Sequence, residues 1–333
     1  MPAQTRPAAL RDPQGRVLDY LRLAVTDRCN LRCRYCMPAD GIALVDHDDV
    51  LRFEEMERLC RLLVTRGVRK IRITGGEPLV RRGVVDFMAR LGALPGSPEI
   101  LLTTNGVLLR GRLDDLRLAG VRRINLSLDS LDPATFETIA RRDVLADVLP
   151  LLDEIPAAGL GLKVNVVVLP GVNDHELPDF VELTRDRDLT VRFIEPMPFD
   201  GTGLLAGRSI DGDGILEILN SRVHLERAVG DPRGVDEIYA VEGWRGRVGL
   251  IRGHSRTFCA TCSRLRIDAQ GALRTCLYGA ARVSLRTLIR TGATDDELIA
   301  AIGAAVAGRF DDGHAAARDR DDPAHQSMAS IGG

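Results

Sequence analysis

Three cysteines stand close together near the start of the chain, at a spacing that could bind iron. Cys29, Cys33 and Cys36 form the pattern C-x3-C-x2-C, directly after an apolar segment at residues 21–25. A cubane [4Fe–4S] cluster takes one thiolate per iron when it is fully ligated, so three thiolates leave one iron open. A structural zinc site needs four ligands, and its cysteines usually come as C-x2-C pairs. The spacing therefore favours a cluster with an open iron over a zinc site completed from elsewhere.

A second set of three cysteines, Cys259, Cys262 and Cys276, lies in the C-terminal part of the chain. By spacing alone, a cluster and a zinc site with His254 as the fourth ligand fit equally well. Two observations favour a cluster. Arg264 and Arg266 follow at once and suit a site that meets an anion, and the first set already indicates an open iron. The seventh cysteine, Cys60, lies among leucines at helical spacing, which predicts a core residue.

Four cations stand on four different predicted strands, each beside apolar neighbours: Arg22, Arg72, Lys163 and Arg192. Alternation along a strand places each cation on the face opposite to those neighbours. Both faces of a parallel sheet are usually covered, and a buried unpaired cation costs several kcal/mol. Because the same strands carry few acids, the pattern predicts a polyanionic ligand such as a triphosphate.

The elements that must position these residues follow from hydrophobic periodicity. Strand-like segments alternate with helical patterns and cover residues 21–25, 71–74, 100–104, 124–128, 163–169 and 191–195. Six βα units predict a parallel sheet with right-handed crossovers, in which the chemistry lies at the carboxyl ends of the strands. The first cysteine set, Gly75-Gly76-Glu77-Pro78 and Ser127 all fall at such ends.

From about residue 221 the pattern changes. Residues 235–251 predict short antiparallel strands, and a capping box of Thr294 and Glu297 opens a helix that runs to roughly residue 309. We predict four parts: a loose N-terminal segment 1–13, a partial barrel 14–220, a smaller α+β domain 221–310 with the second cysteine set, and a flexible tail 311–333.

The composition excludes several classes of protein. The 333 residues are 45% hydrophobic and 28% charged, and the formal net charge of −2 gives no basic field for nucleic acid. No apolar run is long enough for a membrane span or a secretory signal. Seven cysteines without a signal suit a reducing compartment, so we expect a cytoplasmic protein with no nucleic-acid or membrane partner.

Taken together, the motifs resemble the GTP 3′,8-cyclase family, the radical S-adenosylmethionine (SAM) enzymes that start molybdenum cofactor biosynthesis. The resemblance covers nearly the whole chain and rests on residues 22–38, 71–79, 126–130, 163–165, 192–195 and 259–266, with Cys276 and the final Gly332-Gly333. The family's fold is an incomplete (βα)6 TIM-like barrel closed by a C-terminal α+β domain that carries a second [4Fe–4S] cluster.

The resemblance implies a role for each matching residue. Cys29, Cys33 and Cys36 would hold a [4Fe–4S] cluster whose open iron chelates SAM, and Tyr35, Gly76, Ser127 and Met197 would contact SAM. Cys259, Cys262 and Cys276 would hold a second [4Fe–4S] cluster, whose open iron takes the guanine edge. The implied GTP-binding residues are Arg22, Arg72, Thr103, Lys163, Asn165, Arg192, Arg264, Leu265, Arg266, Gly332 and Gly333. Pro196 and the loop at residues 199–208 are less typical of the family.

The implied reaction is that of a lyase without a catalytic side chain. An external one-electron donor of the flavodoxin or ferredoxin type would reduce the first cluster, and SAM would be cleaved to methionine and 5′-deoxyadenosine. GTP would be converted to (8S)-3′,8-cyclo-7,8-dihydroguanosine 5′-triphosphate, which would pass to the next enzyme of the pathway. The enzyme itself would be a monomer or a homodimer.

Two other functions remain open from the sequence. A radical SAM peptide maturase also has an auxiliary-cluster domain after its barrel, but such domains usually hold more cysteines, and a peptide would not explain Arg264-Leu265-Arg266. A cluster-bearing electron-transfer protein, or a zinc-binding interaction protein, would cleave no SAM and need no buried cations.

Overall fold

The structure is a computed structural model that describes residues 9–197, 209–255, 258–319 and 331. Predictions for residues 1–8, for the loop at 198–208, and for Gly332 and Gly333 lie outside these residues.

Six parallel strands form the centre of the molecule, and all six strand predictions are confirmed to within a few residues. They pair in chain order. Their bounds are β1 Tyr20–Ala24, β2 Lys70–Thr74, β3 Glu99–Thr104, β4 Val121–Ser127, β5 Gly161–Val167 and β6 Thr190–Ile194. The strands carry β-branched and leucine residues whose outward side chains are buried, as expected for a sheet covered by helices.

Helices connect these strands and cover the outer face of the sheet. They are α1 Phe53–Thr65, α2 Val84–Gly92, α3 Leu113–Leu118, α4 Pro133–Ala140, α5 Leu145–Val148, α6 Leu151–Ala157 and α7 Leu177–Glu182. The apolar positions of α1 recur at helical spacing, so Met56, Leu59 and Leu63 are buried on one side. Cys60 is buried among them, which confirms it as a core residue. Short 3-10 turns cover His47–Asp49, Pro78–Val80, Asp174–Glu176 and Cys259–Thr261.

The C-terminal part extends the same sheet from both edges. Its strands are β7 Glu226–Ala228, β8 Asp236–Ala240, β9 Arg247–Ile251, β10 Arg264–Ile267, β11 Ala272–Arg274 and β12 Val283–Ser284. β9 pairs with β6, and β10 pairs with β1, both in parallel. The twelve-stranded order starts at β12 and ends at β7, so the barrel is incomplete and open, as the fold class predicted. The domain boundary near residue 220 stays a prediction.

Four more helices complete the described chain: α8 Gly212–Asn220, α9 Leu285–Arg290, α10 Asp295–Ala307 and α11 Gly313–Arg318. The predicted capping box of Thr294 and Glu297 opens α10. Within the tail predicted from residue 311, Asp312 caps α11 and Ala316 is buried; the flexibility of the tail stays a prediction. In the N-terminal segment that we predicted to be loose, Leu10 N donates to Arg66 O and Leu10 O accepts from Leu18 N; the looseness of this segment stays a prediction. Within the described ranges, no helix has the length and apolar character to cross a membrane.

Candidate active site

One cavity on the inner face of the sheet is lined by both cysteine sets. Its lining includes all six cysteines, Cys29, Cys33, Cys36, Cys259, Cys262 and Cys276. The sets are more than 200 residues apart in the chain. Because β1 and β10 run parallel, the first set, which follows β1, and Cys259 and Cys262, which precede β10, lie toward opposite ends of the strand pair. The cavity is therefore shared by two possible cluster sites.

The first cysteine loop is fixed by backbone hydrogen bonds to its own turn and to α4. Cys36 N and Met37 N both donate to Cys33 O, at 2.9 and 3.0 Å. Arg32 N and Arg34 N donate to carbonyls at the end of α4, at 3.1 and 2.9 Å. The loop thus presents three thiols that form no disulfide to the cavity from a supported backbone.

Burial keeps two thiols of this loop protonated when no metal is bound. Burial raises the pKa of the Cys29 thiol to about 11 and that of Cys33 well above its ordinary value. A bound metal is what makes such thiols ionise, because the thiolate is the ligand. Among the described residues, no three His, Cys, Asp or Glu side chains converge as they would on a single metal ion. Cubane thiolates bind separate irons and need not converge on one point.

His254 does not complete a zinc site in this structure. Its side chain is exposed and is not part of the cavity lining, while its backbone N–H donates to Glu195 Oε2 at 2.8 Å. The Cys3His alternative therefore has no support from the described geometry.

The Gly75-Gly76-Glu77-Pro78 segment lies directly against the backbone that precedes the first cysteine. Gly76 N donates to Thr26 O and Glu77 N to Arg28 O, at 2.9 and 2.8 Å. A Cβ on Gly75 would lie 2.4 Å from Thr26 O, and one on Gly76 would lie 2.4 Å from Arg28 O. We expected these glycines to allow a close approach to a ligand; the structure shows a close approach to the chain's own backbone.

Glu77 joins the loops after β2 and β3. Its carboxylate accepts hydrogen bonds from Leu79 N, Thr104 Oγ1 and Asn105 N at 2.8 to 3.0 Å. Burial raises its pKa to about 7, although these three donors act in the opposite direction. Asn105, held in this way, lies 3.9 Å from Cys29 Sγ through its side-chain nitrogen.

The residues predicted to contact SAM all line the cavity: Tyr35, Gly76, Ser127 and Met197. The Tyr35 hydroxyl donates to Asp129 Oδ2 at 2.7 Å, which joins the cysteine loop to the end of β4. Burial raises the pKa of Asp129 to about 6, while hydrogen bonds from Val167 N and Tyr35 oppose that rise. Met197 packs beside Gly253, where a Cβ would lie 2.7 Å from its Cε.

Three arginines form a row across adjacent strands on the inner face of the sheet. Arg22 on β1 lies opposite Arg266 on β10 and Arg72 on β2. We call these three residues the arginine row. Burial lowers the pKa of Arg22 well below its ordinary value and that of Arg266 to about 10. The row concentrates positive charge beside the second cysteine set, where an anion would be stabilised.

Nearby arginines lower the pKa of one thiol of the second cysteine set. Burial alone would raise the pKa of Cys262, but Arg264 and Arg309 more than offset it, and the pKa lies below its ordinary value. Burial raises the pKa of Cys276 and Cys259. A thiolate at Cys262 is thus stabilised before any metal is considered.

Two of the predicted GTP-binding cations lie beneath the cavity and do not line it. Arg72 donates to Leu102 O at 2.9 Å and to the Tyr20 hydroxyl at 2.5 Å. Lys163 Nζ lies 2.9 Å from Asp236 Oδ2. The residues of that prediction that do line the cavity are Arg22, Thr103, Asn165, Arg192, Arg264 and Arg266. The Leu265 side chain is buried in the core on the opposite face of β10.

Asp236 is an acid that the sequence analysis missed. It lies between Lys163 and Arg192, 2.9 and 3.8 Å away, so two of the four strand cations already have a counter-anion. Burial alone would raise its pKa, but Arg192 and Lys163 lower it to about 2. The acid comes from β8 and not from the strands that carry the cations, so the inference that Lys163 and Arg192 need a ligand as their counter-anion no longer follows. The argument for a polyanion now rests on the arginine row and Arg264.

Other lining residues were not predicted, among them Tyr20, Arg16 and Arg309. Tyr20 belongs to the same inner face of β1 as Arg22, and that alternation was a signal that could have found it. Arg16 and Arg309 have no such local signal. Ile331 is buried with Tyr278 in a small apolar cluster beside Met197 and Cys276.

Comparison with known proteins agrees with this architecture. Residues 23–184 match the Radical SAM superfamily, and residues 189–315 match the family described as Molybdenum Cofactor Synthesis C. The chain is 44% identical over 294 residues to the GTP 3′,8-cyclase of Heliobacterium modesticaldum, covering 86% of this chain and 89% of that one.

It is also 45% identical over 301 residues to Molybdenum cofactor biosynthesis protein 1 of Bos taurus. That match covers 90% of this chain but 48% of the bovine protein, so the chain spans about half the length of that relative. Among solved structures, Streptococcus suis SuiB bound to S-adenosylmethionine is similar with a TM-score of 0.58 and 12% identity. That match covers 84% of this chain and 66% of SuiB, and it shows a shared fold alone.

Proposed function

The chain belongs to the GTP 3′,8-cyclase family of radical SAM enzymes, and from this we propose that it converts GTP to (8S)-3′,8-cyclo-7,8-dihydroguanosine 5′-triphosphate in molybdenum cofactor biosynthesis. One observation carries the proposal. Both cysteine sets and five inner-face cations or amides line a single cavity: Arg22, Asn165, Arg192, Arg264 and Arg266. The cations of the cavity suit a triphosphate, and the two cysteine sets would hold the clusters between which it would lie.

At one end of the cavity, Cys29, Cys33 and Cys36 would hold a [4Fe–4S] cluster with one open iron. Membership of the radical SAM superfamily implies this cluster and SAM as cosubstrate. Tyr35, Gly76, Ser127 and Met197 surround the same end and would contact SAM. Glu77 and Asp129 would act indirectly, because their hydrogen bonds hold the strand ends that carry these contacts.

At the other end, Cys259, Cys262 and Cys276 would hold a second [4Fe–4S] cluster, and GTP would lie between the two. Arg22, Arg264 and Arg266 face the cavity and would bind the triphosphate. Arg72 and Lys163 would act from beneath, where Tyr20 and Asp236 already contact them. Thr103, Asn165 and Arg192 would position the nucleoside, and Arg192 donates to Asn165 Oδ1 at 2.9 Å through Nε. Leu265 would contribute backbone only, and Gly332 and Gly333 remain predicted contacts.

When bound, the clusters and SAM supply one-electron chemistry able to activate the 3′ carbon–hydrogen bond of GTP. The chain's own residues position C3′ and C8 of GTP and exclude water and oxygen from the cavity. No side-chain base is assigned. We further propose a cytoplasmic location, an external one-electron donor of the flavodoxin or ferredoxin type, a monomer or homodimer, and hand-off to the next pathway enzyme.

Anaerobic purification followed by metal analysis and a turnover assay tests the proposal. Two cubanes predict about eight irons per chain, and incubation with SAM, dithionite and GTP should give 5′-deoxyadenosine together with the cyclised nucleotide. Cys259→Ala should lose about half of the iron and all GTP conversion. Cys60→Ala is the matched control because this cysteine is buried far from the cavity lining, and it should keep both.

The competing functions predict other outcomes. Zinc in place of iron, with no visible absorbance, would support a zinc-binding interaction protein. If 5′-deoxyadenosine formed only with a peptide and never with GTP, the proposed substrate would be wrong and a peptide maturase would be favoured.

A further inference from the structure

Tyr20 is a cavity residue next to the arginine row, and neither the family motifs nor the proposed chemistry uses it. It opens β1, points to the same inner face as Arg22, and lies opposite Arg264 in the pairing of β1 with β10. It lines the cavity between the strand that carries the first cysteine loop and the strand that follows the second. A group here would meet any anion that the arginines bind.

Two arginines contact the side chain of Tyr20. Arg72 Nε donates to the phenol oxygen at 2.5 Å, and the Arg264 guanidinium lies 5.4 Å from the ring centroid. Arg22 and Arg192 also act electrostatically on the phenol. In the described part of the chain, the arginines that act on Tyr20 come from β1, β2, β6 and β10. Asp236, the acid that could also act as a counter-anion on this side of the cavity, already forms ion pairs with Lys163 and Arg192.

This environment favours the ionised phenol. Burial alone would raise the pKa of Tyr20, but Arg72, Arg22 and Arg264 overcome that effect and lower the pKa to about 7. An ordinary tyrosine ionises near pH 10. Three guanidinium groups in adjacent register repel one another, and a phenolate beside them relieves that repulsion.

We propose that Tyr20 is the internal counter-anion of the arginine row, and that it exchanges this role with the triphosphate of the substrate. In the ligand-free protein near neutral pH, the phenolate accepts the Arg72 hydrogen bond. When a polyanion binds, Tyr20 takes one proton from solvent, still accepts from Arg72, and uses its new O–H to donate to a phosphate oxygen. The inference rests on the proposed triphosphate site. It adds that binding of the triphosphate is accompanied by uptake of one proton.

The sign of the pH dependence follows from this exchange. Polyanion binding favours protonated Tyr20, so binding takes up a proton when the pH lies above the value at which the free phenol ionises. Affinity for GTP should then fall by up to about tenfold for each pH unit above about pH 7. The terminal phosphate of GTP is already ionised there, since phosphate groups lose their second proton near pH 6.

Calorimetric titration of the anaerobic holoenzyme with GTP, in buffers that differ in ionisation enthalpy, measures the protons taken up. At about pH 8 the wild-type protein should take up more protons per GTP than Tyr20→Phe, by up to about one. At about pH 6 the two should agree, because Tyr20 is protonated before binding. Phenylalanine keeps the ring beneath Arg264 and removes only the phenol oxygen. Tyr239→Phe is the matched control: Tyr239 lies on β8, its hydroxyl donates to Glu237, and the variant should behave as wild type.

A second measurement on the wild-type protein needs no variant and covers the case in which Tyr20→Phe does not fold. The difference spectrum of the ligand-free holoenzyme between about pH 8 and about pH 6 should contain about one tyrosinate per chain, and GTP at about pH 8 should remove it. GTP binding with equal proton uptake in wild type and Tyr20→Phe, or no tyrosinate in the free protein, would overturn the inference and leave the proposed function intact. If the wild-type protein binds neither GTP nor inorganic tripolyphosphate, the proposed function fails and the inference fails with it.

Discussion

Asp236 stands at the centre of the charge balance in the cavity, because it contacts both Lys163 and Arg192 from a strand that follows them in the chain. It therefore has two opposite effects. It neutralises buried cations when no ligand is present, and it competes with a ligand for the same cations.

We predict that Asp236→Asn is less stable but binds GTP more tightly. The fall in the Asp236 pKa from 3.8 to about 2 corresponds to about 2–3 kcal/mol of stability, which the variant loses at neutral pH. Because the folded pKa is depressed, the wild-type protein has this contribution above about pH 4 and loses it as the pH falls toward 2. Urea denaturation and GTP titration measure the two effects. Asp153→Asn, which breaks the exposed ion pair with Arg187, should change neither by much. Equal stability of Asp236→Asn and wild type would contradict the assigned ion pairs.

The position of Gly76 leaves no space for a side chain. A Cβ there would lie 2.4 Å from Arg28 O and 2.8 Å from Asp27 O, and neither backbone oxygen can move away as a flexible side chain could.

We predict that Gly76→Ala displaces residues 26–28 and with them the first cysteine loop. The variant should retain about half of the iron, bound by the second cysteine set, and cleave no SAM. Gly303→Ala is the matched control, since Gly303 lies within α10 with open space around it and should gain up to about 1 kcal/mol. Full iron content in Gly76→Ala would show that the close packing of the two loops is not needed for the cluster.

At the scale of elements, Glu195 connects three segments that surround the SAM end of the cavity. It follows β6 and is fully buried. Its Oε1 accepts from Gly212 N at the start of α8 and from Ser255 Oγ, and its Oε2 accepts from His254 N and Ser255 N, at 2.6 to 2.9 Å. Met197, two residues later, owes its place beside Gly253 to this connection.

We predict that Glu195→Gln loses about 2–3 kcal/mol of stability, because an amide N–H must then face backbone donors. SAM affinity should fall, since Met197 shifts, while iron content stays unchanged. Anaerobic SAM titration and urea denaturation make the comparison with Glu182→Gln, whose exposed carboxylate pairs only with Arg185 and which should match wild type. Unchanged SAM affinity in a destabilised Glu195→Gln would separate this connection from the cosubstrate site.

The strands show which elements a sequence can predict. β1 to β6 follow from apolar periodicity because each buries its outward apolar side chains beneath the helices, and the cysteine and glycine loops follow from their position at the strand ends. β10 and α11 were not predicted. β10 alternates arginines with apolar residues over four positions only, and α11 consists of small and charged residues whose burial depends on distant contacts.

The same reasoning explains the site residues that were missed. Asp236 meets Lys163 and Arg192 only because β9 joins β6 and carries β8 with it, a pairing over more than forty residues that periodicity does not encode. Arg16 and Arg309 likewise meet only in the folded chain. The sequence could indicate which cations matter, but their ion-pair partners could be identified only once the order of the strands was known.

At the scale of the whole molecule, the N-terminal segment closes on the C-terminal helices beside the second cysteine set. Arg16 Nε and Arg309 Nη1 contact the same carboxylate oxygen of Asp12, at 2.6 and 3.3 Å, and all three side chains are buried. Arg16 also donates to Cys259 O at 2.9 Å and to Phe310 O at 2.7 Å. One carboxylate thus joins the beginning of the fold, the second cysteine set and the segment after α10.

We predict that Asp12→Asn costs about 3–5 kcal/mol, because it leaves two buried guanidinium groups without their counter-anion. Both ends should loosen together, so limited proteolysis should cut near residue 11 and near residue 310 at rates that rise in parallel. Asp114→Asn, which removes only an exposed ion pair with Arg117, should leave both rates unchanged. Faster cleavage at one end alone would mean that Arg16 and Arg309 are held independently. If both cleavage rates rise together and iron is lost from the second cysteine set, the contact between the two chain ends stabilises that site.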